Sequence, residues 1–146
     1  MALLLVIEDG DEYEEFARLF LADRYDVVAA HTAGEALRAA AEHAVDAMLI
    51  DLRFERAKDE DLIGDVGATA ARLFAGDRAR AGRWLKEQQG TLILGELRQA
   101  GHAQPAVFVH DFPPRRLANL RKLYGRVAAV PSFDAAAIVR EIARLA

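Results

Sequence analysis

Five short apolar runs, each followed by a stretch with helical spacing, constrain what this chain can fold into more than any other feature. Leu3 to Ile7 (LLLVI), Asp26 to His31 (DVVAAH), Asp46 to Asp51 (DAMLID), Ala106 to Val109 (AVFV) and Val127 to Val130 (VAAV) read as strands. Their interiors are apolar at successive positions, which fits strands covered on both faces. Strands of this kind alternating with helices give a parallel sheet with crossover helices on either side. The expected fold class is therefore α/β, a doubly wound, five-stranded parallel sheet.

The intervening stretches read as helices. Over Asp11 to Ala22, Tyr13, Phe16, Ala17 and Phe20 recur at three and four positions and are expected to face the sheet. Thr32 with Glu35 three residues on forms a capping box that opens a helix running to about His43. Pro113 and Pro114 start a helix that ends near Tyr124, where Gly125 stops it. Ser132 is expected to cap the last helix, Phe133 to Leu145, with Ile138, Ile142 and Leu145 inward.

The stretch from Leu52 to Gly101 breaks this rhythm. It holds roughly 25 to 30 residues more than a strand-to-helix connection needs, which points to a lid, a binding loop or disorder. Arg53 to Gly67 reads as loop, and Asp77 to Ala100 as one long helix with Gly82, Gly90 and Gly95 as weak points. The alternative is two short helices, Ala68 to Phe74 and Asp77 to Gln89, ahead of a third. A single domain over 1–146 is expected, with a helical insertion after the third strand at about 55–88.

Composition narrows the function. With no cysteine, disulfides, thiolate metal sites and cysteine nucleophiles are excluded. The net charge of -4, from 23 acids against 19 Lys and Arg, argues against nucleic acid as a partner. No apolar run approaches the ~18 residues of a membrane span, and no cationic leader precedes the first strand. A cytoplasmic protein without a membrane partner is expected.

The first strand ends on Glu8 and Asp9, and Asp11, Glu12, Glu14 and Glu15 follow. The last four suit the positive end of a helix dipole. Glu8 and Asp9 do not need that explanation, because the third strand also ends on a carboxylate, Asp51. In a doubly wound sheet the C-terminal strand ends meet at one edge, where ligands bind. Three carboxylates gathered there, without thiols, form a hard-oxygen site of the kind that suits Mg²⁺.

With the acidic pair in VIEDG and the aspartate of MLIDLR in place, the chain resembles the receiver domain of a two-component response regulator over nearly its whole length, excepting about residues 55 to 88. The resemblance implies a flavodoxin-like sheet of order 2-1-3-4-5. It also implies Asp51 as phosphoacceptor, with Mg²⁺ held by Glu8, Asp9, Asp51 and the backbone carbonyl of Arg53. The donor would be a histidine kinase or phosphotransfer protein and the output a downstream signalling protein, with the domain itself no enzyme.

Two positions depart from that pattern. The family carries Ser or Thr at the end of the fourth strand, where this chain has His110 followed by Asp111. The family carries Lys at the end of the fifth, where this chain has Pro131, and no lysine follows Lys122. Losing such donors removes interactions worth about 3 kcal/mol each. The expectation is an atypical pseudo-receiver acting by protein–protein interaction, the alternative a fully phosphorylatable stand-alone receiver in a phosphorelay. A small Mg²⁺-dependent hydrolase has the carboxylates but no substrate-binding loop.

Other features carry less. Arg53, Arg56, Lys58, Arg72, Arg78, Arg80 and Arg83 of the insertion are a solvated surface, unless one folds over the acids and replaces the lysine. Trp84, the one tryptophan, is either core or, as expected here, the anchor of a homodimer interface built through residues 68 to 100.

Overall fold

Alternation of side chains along the strands divides the core into two layers. In β1 (Ala2–Ile7) Leu5 and Ile7 enter one hydrophobic cluster and Leu4 and Val6 the other. In β3 (Ala47–Ile50) Met48 and Ile50 separate in the same way from Ala47 and Leu49. The computed structural model describes all 146 residues, and with β2 (Tyr25–Ala30), β4 (Ala106–Val109) and β5 (Val127–Val130) these strands form one parallel sheet of order β2-β1-β3-β4-β5. The doubly wound sheet and its order are as expected.

One face of the sheet is covered by α1 (Glu12–Phe20) and α6 (Ala135–Leu145), whose Tyr13, Ala17, Ile138 and Ile142 meet Val6 and Leu49 in one cluster. The other face is covered by α2 (Ala33–Glu42), α4 (Arg78–Gln99) and α5 (Pro114–Tyr124). There the small residues Ala33, Ala36, Ala39 and Ala40 let α2 lie close to the strands. No helix is long and apolar enough to cross a membrane.

Several boundaries follow the sequence signals. The Thr32 hydroxyl accepts the Glu35 amide at 3.1 Å, as a capping box requires. Gly125, at φ 78°, ends α5 in the left-handed region that favours glycine. Two expectations are corrected. Phe20 is 60 % exposed and not turned to the sheet, because α1 ends there and Leu21 is buried in its place. The last helix starts later than expected, at Ala135, and its cap is Asp134, whose carboxylate accepts the Ala137 amide at 3.1 Å. Asp134→Ala is therefore expected to cost about 1 kcal/mol in urea denaturation, and Ser132→Ala to leave the midpoint where it is.

The insertion is more ordered than the loop expected over Arg53 to Gly67. A 3-10 turn at Asp59–Asp61 leads into α3 (Val66–Leu73), whose first residues lie inside that range. The single long helix is present as α4, 22 residues without a break, and a short helix precedes it. Both sequence alternatives thus contribute a part. The inner half of α4 places Ile93, Leu94 and Leu97 in the core, while its outer half carries α3. A buried side chain fixes the loop between them: Gln89 accepts the Ile63 amide at 2.7 Å and donates to the Ile63 carbonyl at 3.2 Å, as a neighbouring strand would. Glycine tolerates the helix interior at Gly90 for a positive reason, since Gly90 crosses directly over the end of β3.

Candidate functional site

Because Ile7 pairs with Ile50 in the parallel register, the residues that follow both strands leave the sheet side by side. The Asp51 amide donates to the Ile7 carbonyl at 2.9 Å. Glu8, Asp9 and Asp51 therefore stand at one sheet edge, where the sequence places them.

Each of these acids is engaged by the protein itself. Glu8, 1 % exposed, accepts the Tyr13 amide at 3.0 Å and the Glu14 amide at 2.8 Å, so both oxygens cap the start of α1. Burial still pushes its carboxyl above the usual range, against the lowering by those two amides. The Asp9 side chain is 4 % exposed; Oδ2 accepts the Arg56 amide at 2.7 Å and Oδ1 faces the Arg56 guanidinium at 3.6 Å. Asp51 Oδ1 accepts the Arg53 amide at 3.3 Å and the Tyr13 hydroxyl at 3.4 Å. Burial, then the charges of Asp9 and Glu8, push the Asp51 carboxyl up to about 6, although the Arg53 amide lowers it.

Tyr13 belongs to this site, which the sequence reading did not recognise. Its spacing assigned it to the sheet-facing side of α1, and its ring does pack there, edge-on to Phe133 at 4.9 Å. Its hydroxyl continues past the core to the Val109 carbonyl, at 3.1 Å, and to Asp51. Burial and the neighbouring carboxylates hold the phenol well above its usual pKa, so it remains a neutral donor. A tyrosine in the first turn after an acidic strand end was the available signal.

The other expected residues lie around this centre. His110 follows β4, where its amide donates to the Val130 carbonyl at 2.9 Å. Its ring packs on Phe112 at 4.6 Å, and burial with the charges of Arg53 and Arg116 disfavours its protonated form. Pro131 follows β5, exposed and without charge to offer. Trp84 is half-buried against Phe74 of the same chain, with ring centroids 6.5 Å apart, so it joins α3 to α4.

The helix α4 touches the site through its backbone. The Lys86 carbonyl accepts the Phe54 amide at 2.8 Å, and the Gly90 amide donates to the Leu52 carbonyl at 2.9 Å. These are the two groups an α-helix would pair with each other. The loop after β3 is thus hooked onto the middle of α4. A Cβ on Gly90 would overlap the Asp51 carbonyl oxygen and stand 2.8 Å from the Leu52 Cα.

As a Mg²⁺ site the arrangement does not fit. No three His, Cys, Asp or Glu side chains come together as a metal-holding group. Glu8, expected as a ligand, caps α1 with both oxygens, while Asp9 holds the Arg56 amide on Oδ2 and faces the Arg56 guanidinium through Oδ1. Mg²⁺ requires near-octahedral oxygen ligands.

No protein-family model and no curated protein matches this sequence. Solved structures do match. The receiver domain of the Francisella response regulator 1452 superposes with a TM-score of 0.66 at 14 % identity, over 99 % of this chain and 96 % of that one. The Vibrio cholerae chemotaxis protein CheY4 gives 0.65 at 16 % identity, over 100 % and 99 %. The response regulator TrrA of Thermotoga maritima, in complex with Mg²⁺ and BeF, gives 0.63 at 14 % identity over the whole of both chains. The fold is that of response regulator receiver domains.

Proposed function

We propose that this chain is a receiver-type module of two-component signal transduction that works by binding protein partners and is not switched by phosphorylation. The observation that supports this most is the surroundings of Asp51. The acid follows β3 where a receiver carries its phosphoacceptor, yet the neighbouring strand ends offer a phosphoryl group no hydroxyl and no ammonium, only His110, Asp111 and Pro131, and the one hydroxyl beside Asp51, from Tyr13 on α1, is shared with the Val109 carbonyl.

Phosphoryl transfer depends on charge neutralisation and positioning more than on covalent help from the protein. A phosphoryl group on Asp51 would add negative charge beside Glu8 and Asp9, whose charges already disfavour ionisation of Asp51. Arg56 is committed to Asp9 and Glu12. Each missing oxyanion partner weakens the transition state by about 3 kcal/mol.

The partners proposed are those of a cytoplasmic signalling module: a histidine kinase or phosphotransfer protein, a downstream signalling protein, or a second copy of the chain. The insertion is the surface for the last of these. Leu73 of α3 is 53 % exposed there, beside the half-buried Trp84. The module itself catalyses nothing.

The test uses Mg²⁺ with beryllofluoride, followed by ¹⁹F resonances, and acetyl phosphate, followed by mass spectrometry. The expected result is no bound-fluoride signal and no acyl phosphate on Asp51. Stoichiometric modification lost in Asp51→Ala would replace this reading with that of a phosphorylatable stand-alone receiver in a phosphorelay.

A further inference from the structure

The acidic edge contains a cation that the chain supplies to itself. Arg56 comes from the loop after β3, which crosses the end of β1 so that its backbone and side chain both reach Asp9. The same Nη2 donates to Glu12 Oε1 at 3.1 Å and Oε2 at 3.0 Å. The guanidinium lies over Gly10, where a Cβ would overlap it. Asp9, Gly10 and Glu12 thus form a cradle for the arginine head.

The side-chain exposures show which partner depends on the other. Asp9 is 4 % exposed and Arg56 58 %. A carboxylate that far from water needs hydrogen-bond donors or a counter-charge close by, and for Asp9 both come from Arg56, whereas the arginine stays partly hydrated and does not depend on the pair. Resting on the reading of this edge as one that works without phosphate, we infer that Arg56 is the resident cation of the acidic pocket and excludes Mg²⁺ while it is in place.

Physical chemistry favours the arginine. Guanidinium is permanently charged, planar and weakly hydrated, so it sheds water more easily than Mg²⁺ does. It is also tethered a few residues from Asp51, so its effective concentration at Asp9 far exceeds that of free ions. At Asp9 a divalent ion competes with the guanidinium that faces Oδ1, while Oδ2 stays engaged with the Arg56 backbone amide. Removing the Arg56 side chain leaves Asp9 and Glu12 with uncompensated charge and open oxygens, which is the condition Mg²⁺ answers.

Calorimetric titration of the full chain with MgCl₂ tests this in wild type, Arg56→Ala and Arg56→Lys. Wild type is expected to give no saturable heat at millimolar Mg²⁺ and no rise in Tm. Arg56→Ala is expected to bind at least about tenfold more tightly, with a Tm that rises with Mg²⁺, and Asp9→Asn in that background to abolish the gain. Arg56→Lys, which keeps a tethered charge, is expected to lie nearer to wild type. The inference is overturned if wild type and Arg56→Ala bind Mg²⁺ equally, or if Arg56→Ala gains no binding. Neither outcome depends on whether Asp51 accepts a phosphoryl group, so each reading fails by its own measurement.

Discussion

Gly90→Ala is expected to lower stability by about 3 kcal/mol, the upper end of what overpacking costs, and Tm by roughly 6 to 12 °C for a chain of this size. Alanine is ordinarily the better helix former by about 1 kcal/mol, so a helix-centred view predicts the opposite sign. What reverses it is the approach of the β3 loop, which leaves a Cβ 2.8 Å from the Leu52 Cα and 3.0 Å from the Asp51 carbonyl carbon. Backbone cannot swing aside as a side chain can, so the strand end and the helix must separate and their two hydrogen bonds lengthen. Gly82 of the same helix has nothing within 4 Å. Gly82→Ala is expected to raise stability by about 0.5 to 1 kcal/mol. Urea denaturation followed by Trp84 fluorescence measures both. A Gly90→Ala protein as stable as wild type would mean that the helix does not lie where it is described.

Asp51→Asn is expected to stabilise the fold at neutral pH. The folded carboxyl titrates at about 6 against an ordinary 3.8, with burial as the main cause. Between these values the unfolded chain has already lost its proton while the folded chain keeps it, so stability falls as pH rises through about 4 to 6 and stays reduced above. The full shift corresponds to about 3 kcal/mol, and partial solvent access reduces this to about 1 to 2 kcal/mol. Asparagine keeps an oxygen for the Arg53 amide and carries no charge. In metal-free buffer its advantage is expected at pH 7.5 and absent at pH 4. An equal advantage at both values would assign the effect to packing.

The sheet was legible because its strands are written as unbroken apolar runs. The order of those strands came from resemblance, since nothing within β1 or β3 names its neighbour. Glu8, Asp9 and Asp51 were found by asking where strands end. Their hydrogen bonds were not, because a sequence shows which carboxylates converge and not which donors reach them first. Glu8 looks like a ligand until α1 is seen to begin with its amides over those oxygens. Arg56 was one of eight cations between Arg53 and Lys86, all equal in sequence, and only the path of the loop singles it out. Gln89 is similar: nothing in QQG says that the second glutamine is buried and binds Ile63, while Gln88 meets Arg116. Long-range polar pairing of this kind follows from tertiary placement and leaves no period in the sequence.

The helix held at its middle has a mechanical meaning. Gly90 is the pivot of a stiff beam: Trp84 stands about 9 Å to one side and Leu97 about 10 Å to the other, at 1.5 Å per residue. The outer arm, where Phe74 meets Trp84, and the loop after β3 are thus joined through one continuous helix gripped at its middle.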